Sequence, residues 1–155
     1  MASIAITWEP PVPLTSGRAQ NLIYTCDLGA LPDVAGVYVF GRAHGGKFEP
    51  IYIGESENLQ KRIGQHLQSV PLMMALQAAR TGTRYVHIGV LQGKQGQNEK
   101  AALQRVESAL IKAALAQGHE LVNWKGTQTP YDEITFKGNR ECTQVFGPAI
   151  RVERH

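Results

Sequence analysis

Two short runs rich in β-branched and aromatic residues, Val37-Tyr38-Val39-Phe40 and Ile51-Tyr52-Ile53-Gly54, precede a sudden change of apolar period. Beyond them, Leu59, Ile63 and Leu67 recur every fourth residue. Strand side chains alternate with a period of two, whereas positions four apart share one face of a helix. The chain must therefore pass from sheet to helix near Ser56 or Glu57. The two runs are close enough to pair as a hairpin around a loop at residues 41–50.

The remaining elements follow from the same signals. Residues 4–8 and 21–24 read as short strands, separated by an irregular arm containing Glu9-Pro10-Pro11-Val12-Pro13. Pro71 opens a second helix over residues 72–80, residues 84–91 alternate as a third strand, and 93–97 form a loop. Residues 98–117 are the clearest helix, stopped by Gly118. Beyond it come a turn at 128–131, a strand near 134–136 and another within 145–152. This order predicts an α+β fold: a small central, mainly antiparallel sheet flanked by helices, with extra strands from the termini. The expected organisation is a 1–35 N-terminal arm, a 36–125 central domain, and a 126–155 β extension packed on that same domain.

Composition narrows the setting. A chain of 155 residues, 43% hydrophobic, can bury one proper core. No run of about 18 apolar residues exists, so no membrane partner is expected. The first residues show no basic stretch ahead of an apolar one, so secretion is not expected. The two cysteines, Cys26 and Cys142, rule out a disulfide framework and form no CxxC zinc pair. Free thiols suit a reducing, cytoplasmic location. The net charge of +3 is uneven: −2 over residues 1–35, +5 over 36–125 and zero over 126–155. A basic middle favours a polyanionic partner, although an ordinary solvated surface explains it as well.

Three groupings carry chemistry. Leu103, Val106, Leu110, Ala114 and Leu115 mark the apolar stripe of the long helix, and Glu107 falls inside it. A carboxylate on a buried face needs an ion pair, a bound cation or a place at the edge of the stripe that reaches solvent. Arg62 and His66, four apart, project from one face of the first helix, as a surface pair or as a guanidinium and an imidazole aimed at a phosphate. Tyr38 and Tyr52 lie on the adjacent strands, where strand tyrosines are usually packing, and Gly54 permits a close approach. One decoy is set aside. Gly41-Arg42-Ala43-His44-Gly45-Gly46-Lys47 has P-loop spacing, but Phe48 replaces the Ser or Thr and a strand follows where a helix is required. Arg42 and Lys47 in that loop, and Lys61 on the helix, remain candidates for touching a nucleic-acid backbone. No HxH or HExxH spacing and no GxSxG occurs.

Taken in order, these residues resemble the GIY-YIG nuclease family. Gly36-Val37-Tyr38 is similar to its first signature, with Val for Ile, and Tyr52-Ile53-Gly54 to its second. The run Glu55-Ser56-Glu57-Asn58-Leu59-Gln60-Lys61-Arg62 resembles the segment that follows, His66 stands where some members carry a histidine, Glu107 matches the metal-binding glutamate, and Asn123 matches the closing asparagine. The resemblance spans residues 36–123.

The resemblance implies a metal-dependent endonuclease that hydrolyses phosphodiester bonds in DNA by in-line attack of water. Glu107 would hold one Mg2+, with Mn2+ as a substitute, and Arg62 would clamp the scissile phosphate. Tyr38 would act as base, once nearby positive charge lowers its pKa, and Tyr52 would orient water or phosphate. His66 would hold a phosphate oxygen or assist proton transfer, and Asn123 would brace the site. The alternative is a non-catalytic or partner-dependent nucleic-acid-binding module on the same scaffold. A homodimer or a DNA-recognition partner protein would suit so small a chain.

Overall fold

The computed structural model describes residues 3–122, 131–147 and 149–153. Its chain opens with four short strands, β1 (Ile6–Trp8), β2 (Val12–Pro13), β3 (Thr15–Ser16) and β4 (Tyr24–Thr25). The long hairpin follows as β5 (Gly36–His44) and β6 (Lys47–Ser56), then α1 (Leu59–Leu67) and α2 (Val70–Ala78). Next come β7 (Thr83–Leu91) and α3 (Glu99–Ala116). The described residues up to Val122 form one compact unit, and those from Tyr131 on belong to a second. That second unit holds β8 (Tyr131–Thr135), α4 (Arg140–Phe146) and β9 (Ala149–Glu153), with β8 and β9 paired antiparallel.

The first unit is an antiparallel sheet in the order β1-β7-β5-β6, with β2 also pairing to β7. The proline-rich arm thus supplies the sheet's outer strand. Side-chain alternation gives the sheet two apolar faces. One packs Tyr38, Phe40, Val86 and Ile88 against Leu59, Ile63 and Leu67 of α1 and Leu72, Met73 and Leu76 of α2. The other sets Val37 and Leu91 against Ala102 and Leu103 of α3. The α+β class and the mainly antiparallel, helix-flanked sheet agree with the sequence. Among the described residues, no helix is long and apolar enough to cross a membrane.

The hairpin differs from expectation. Residues 41–50 are not a loop: pairing runs to His44 opposite Lys47, leaving a two-residue turn. Gly45 and Gly46 take φ of +60° and +79°, the left-handed values that a type I′ turn needs at both positions. The Arg42–Glu49 ion pair at 2.6 Å ties directly opposed residues across the two strands. The register slips between Phe40 and Gly41, so Ile51 is an extra, bulged residue on β6. The bulge lets Ile51 and Tyr52 both pack on the α1 side, and the Ile51 carbonyl accepts a hydrogen bond from Val122 N at 2.8 Å.

Capping explains the helix ends. Asn58 Oδ1 accepts from Lys61 N at 3.0 Å and Asn98 Oδ1 from Ala101 N at 3.0 Å. Gly118 leaves α3 with φ +87°. At the end of α2, Arg84 donates to the carbonyls of Leu76 at 3.0 Å, Ala79 at 2.7 Å and Gly82 at 2.6 Å. The strand expected within 145–152 is a helix as far as Phe146, with β9 after it. Asn139 Oδ1 caps that helix at Cys142 N, and Gly147 ends it at φ +84°. These local start and stop signals outweigh the β preference of Val145 and Phe146. Trp124 and residues 128–130 of the turn expected at 128–131 lie outside the described residues, and Tyr131 opens β8.

Candidate active site

The β5–β6 register sets Tyr38 opposite Gly54 and Phe40 opposite Tyr52, so both tyrosines rise from the face that carries α1. Their rings stack nearly parallel, 6.3 Å apart at 12°. Phe40 meets each edge-on. The space that a side chain at position 54 would need is already filled. A Cβ there would fall on Cζ and the hydroxyl oxygen of Tyr38, with Cε2 2.8 Å away. Gly54 is thus required by the phenol lying across it, which gives the Tyr-Ile-Gly run a steric reason.

From α1, one helical turn delivers two partners to that phenol. His66 is buried, and its Nε2 lies 2.6 Å from the Tyr38 hydroxyl. Arg62, one turn earlier and on the solvent side, lies close enough for its charge to act on the same phenol and reaches Gln65 Oε1 at 3.2 Å. The direction of the Tyr38–His66 hydrogen bond follows the imidazole tautomer, and Arg62 adds its positive charge beside the pair. Burial and then the Arg62 charge drive the His66 pKa down to about 4, which keeps the imidazole neutral and able to accept. Tyr38 moves the other way. Burial, and secondarily Tyr52, push its pKa well above the usual phenol value, against the lowering effect of Arg62. Burial also raises Tyr52. The phenols are therefore protonated at neutral pH, and the lowering by positive charge expected from the sequence is outweighed by desolvation.

Glu107 comes to the same place from α3. The backbone of Glu55, the residue after Gly54, lies close enough to favour the charged form of Glu107, and that charge is felt by both Tyr38 and Tyr52. Burial and the neighbouring Glu55 raise the Glu107 pKa. Glu55 is raised as well, by burial and by Glu57, in spite of Lys100 and Arg62. Two half-buried carboxylates thus share one end of the hairpin, each raised by burial and by a neighbouring carboxylate.

Five of the six site residues anticipated from sequence, Tyr38, Tyr52, Arg62, His66 and Glu107, converge here. The sixth, Asn123, lies outside the described residues, immediately after Val122. Glu55 is the member that sequence reasoning passed over. Its signal was its place directly after the glycine, at a strand end that faces α3. The proposed phosphate contacts lie elsewhere. Arg42 is committed to Glu49 and to the Thr81 carbonyl, and Lys47 is exposed beside the hairpin turn. Lys61 is exposed on α1. Among the described residues, no three His, Cys, Asp or Glu side chains gather as a metal-binding group. No protein-family model matches the chain, and neither a curated protein nor a solved structure matches it.

Proposed function

We propose that the protein is a metal-dependent endonuclease of the GIY-YIG type, hydrolysing phosphodiester bonds in DNA. The observation that carries this reading is the meeting of Tyr38, Tyr52, Arg62, His66 and Glu107, drawn from the hairpin, α1 and α3, in one electrostatically linked cluster. A core built only for stability has little use for two phenols, an imidazole, a guanidinium and a carboxylate within electrostatic reach of one another.

The donor set fits a hard divalent cation. Glu107, with Glu55 beside it, offers carboxylate oxygens at a half-buried position where burial and mutual repulsion outweigh the nearby positive charge. Mg2+ or Mn2+ held there would supply Lewis-acid charge to the oxygens of the scissile phosphate. The chain's own residues do the rest. Arg62 is exposed on α1 and would hold a phosphate oxygen through the charge build-up of the transition state. Tyr38 is the candidate base, with its hydroxyl 2.6 Å from His66 Nε2; moving its proton there runs against both pKa shifts, so the Arg62 charge and that of a bound cation would have to offset them. The phenolate so formed takes a proton from water and is stabilised by Arg62, while the imidazolium holds the first proton for return. Tyr52, less buried than Tyr38, would orient the attacking water. No proton has to leave the site.

The test is cleavage of supercoiled, branched and single-stranded DNA by the purified chain with Mg2+ or Mn2+. The expected result is metal-dependent nicking, lost by at least about a hundredfold in Glu107→Gln and in Arg62→Ala. Salt-sensitive binding with no cleavage of any substrate would overturn the hydrolytic reading and leave the binding module in its place.

A further inference from the structure

The sheet face away from Tyr38 carries a second, unassigned site. A cavity of about 410 Å³ opens between that face and the C-terminal half of α3, with Trp8, Phe48, His87, Leu110, Gln117 and His119 in its walls. That volume is ample for a small organic ligand. Among the described residues in its walls there is no Asp, Glu, Lys or Arg. Phe48 and His87 meet edge to face at 4.3 Å, and burial lowers the His87 pKa, so the ring presents a neutral aromatic surface. Gln117 and the imidazoles add hydrogen-bonding atoms. Flat aromatic walls with a few neutral donors and acceptors suit a planar heterocycle.

A second hollow of about 520 Å³ adjoins the first and shares Phe48 and His119 with it. Its other walls are Arg42, His44, Lys47 and Glu49. Arg42 and Glu49 neutralise each other in a 2.6 Å ion pair, which leaves the Lys47 ammonium as the formal charge not offset within the hollow. This part suits an anion. An uncharged aromatic chamber and a cationic one with two walls in common have the layout of a base and its phosphate.

We propose that these adjoining hollows bind one nucleotide unit, its base in the chamber under α3 and its phosphate at Lys47. The site is separate from the tyrosine cluster and does not depend on that cluster's being catalytic. The unit would be a free nucleotide or one residue of a nucleic-acid strand.

The test follows Trp8 fluorescence in a Trp124→Phe chain, where Trp8 is the only tryptophan, with no metal present. The probes are the four nucleoside monophosphates, ribose 5-phosphate and a short oligothymidylate. Saturation-transfer NMR on the unaltered chain reads the same binding should the variant fail to fold. The expected result is saturable quenching by a base-bearing probe and none by ribose 5-phosphate. Lys47→Ala should weaken binding about tenfold, as should Ala114→Met, which fills the chamber from its helix wall. Binding of mononucleotides without competition from the oligonucleotide identifies a free nucleotide as the ligand, and the reverse identifies a strand. If neither probe class binds at millimolar concentration, or if binding is unchanged in both variants, the proposal is overturned. Failure of the DNA-cleavage test leaves this result untouched, because no turnover is measured.

Discussion

Replacing Gly54 by alanine adds one methyl group at the point where the Tyr38 ring crosses β6. The new Cβ would sit on the phenol oxygen and Cζ, with Cε2 at 2.8 Å, well inside ordinary contact distance. Tyr38 cannot swing away easily. It is 1% exposed, stacked on Tyr52 and bonded to His66. Overpacking of this kind costs about 1–3 kcal/mol. Displacing the hydroxyl also strands a buried imidazole nitrogen, worth about 1–3 kcal/mol. Against this, a glycine-to-alanine change returns only about 0.4–1 kcal/mol through the unfolded chain. The net expectation for Gly54→Ala is a loss of about 2–4 kcal/mol. Urea unfolding of the full chain followed by circular dichroism measures it. The decisive arm is a cycle with Tyr38→Ala. That change is costly alone, but it removes the ring, so the added methyl should then cost less than about 0.5 kcal/mol. A Gly54→Ala chain as stable as the parent, or a fully additive double variant, would refute the steric account of this glycine.

Further expectations concern pH and the helix end. Because the folded fold holds His66 near pKa 4 against an ordinary 6.5, its neutral state stabilises the protein above pH 6.5, and that contribution is lost as pH falls toward 4. Parent chain and His66→Gln should therefore diverge by about 2 kcal/mol in unfolding free energy between pH 7.5 and 4.5, with the parent losing more. Taking the difference removes the opposite contribution of Glu55 and Glu107, whose raised pKa values relieve a penalty on acidification. At the end of α2, Arg84→Ala frees several carbonyls at once and should cost about 1–3 kcal/mol. Hydrogen exchange should show the loss first in the last turn of α2.

How far the fold could be read depended on the range of the interactions. The hairpin, α1, α2, β7 and α3 follow from periodicities within single segments. The two-residue turn was also local, in Gly45-Gly46, but the polar residues around it hid a strand pairing held by Arg42 and Glu49. The bulge at Ile51 depends on how β6 meets β5 and leaves no local mark. The site divides in the same way. Helical spacing put Arg62 and His66 on one face, and the stripe of α3 exposed Glu107 as anomalous. The bond between His66 and Tyr38 links residues 28 apart in sequence, and only packing reveals it. The direction of the Tyr38 pKa shift also lay beyond the sequence, because it depends on how deeply the ring is buried.

Among the described strands β6 lies at the edge of its sheet, and an edge strand can offer backbone groups for another chain to pair with. The rim is defended residue by residue. Pro50 offers no N–H, Val122 already occupies the Ile51 carbonyl, and the bulge bends the strand where a flat template would have to begin. Lys47, Glu49 and Glu55 add charge along its length. The irregularity that brings Ile51 and Tyr52 to the same side thus also blunts the rim against edge-to-edge stacking of one molecule on the next, and a smoother strand would give up that protection against fibre growth.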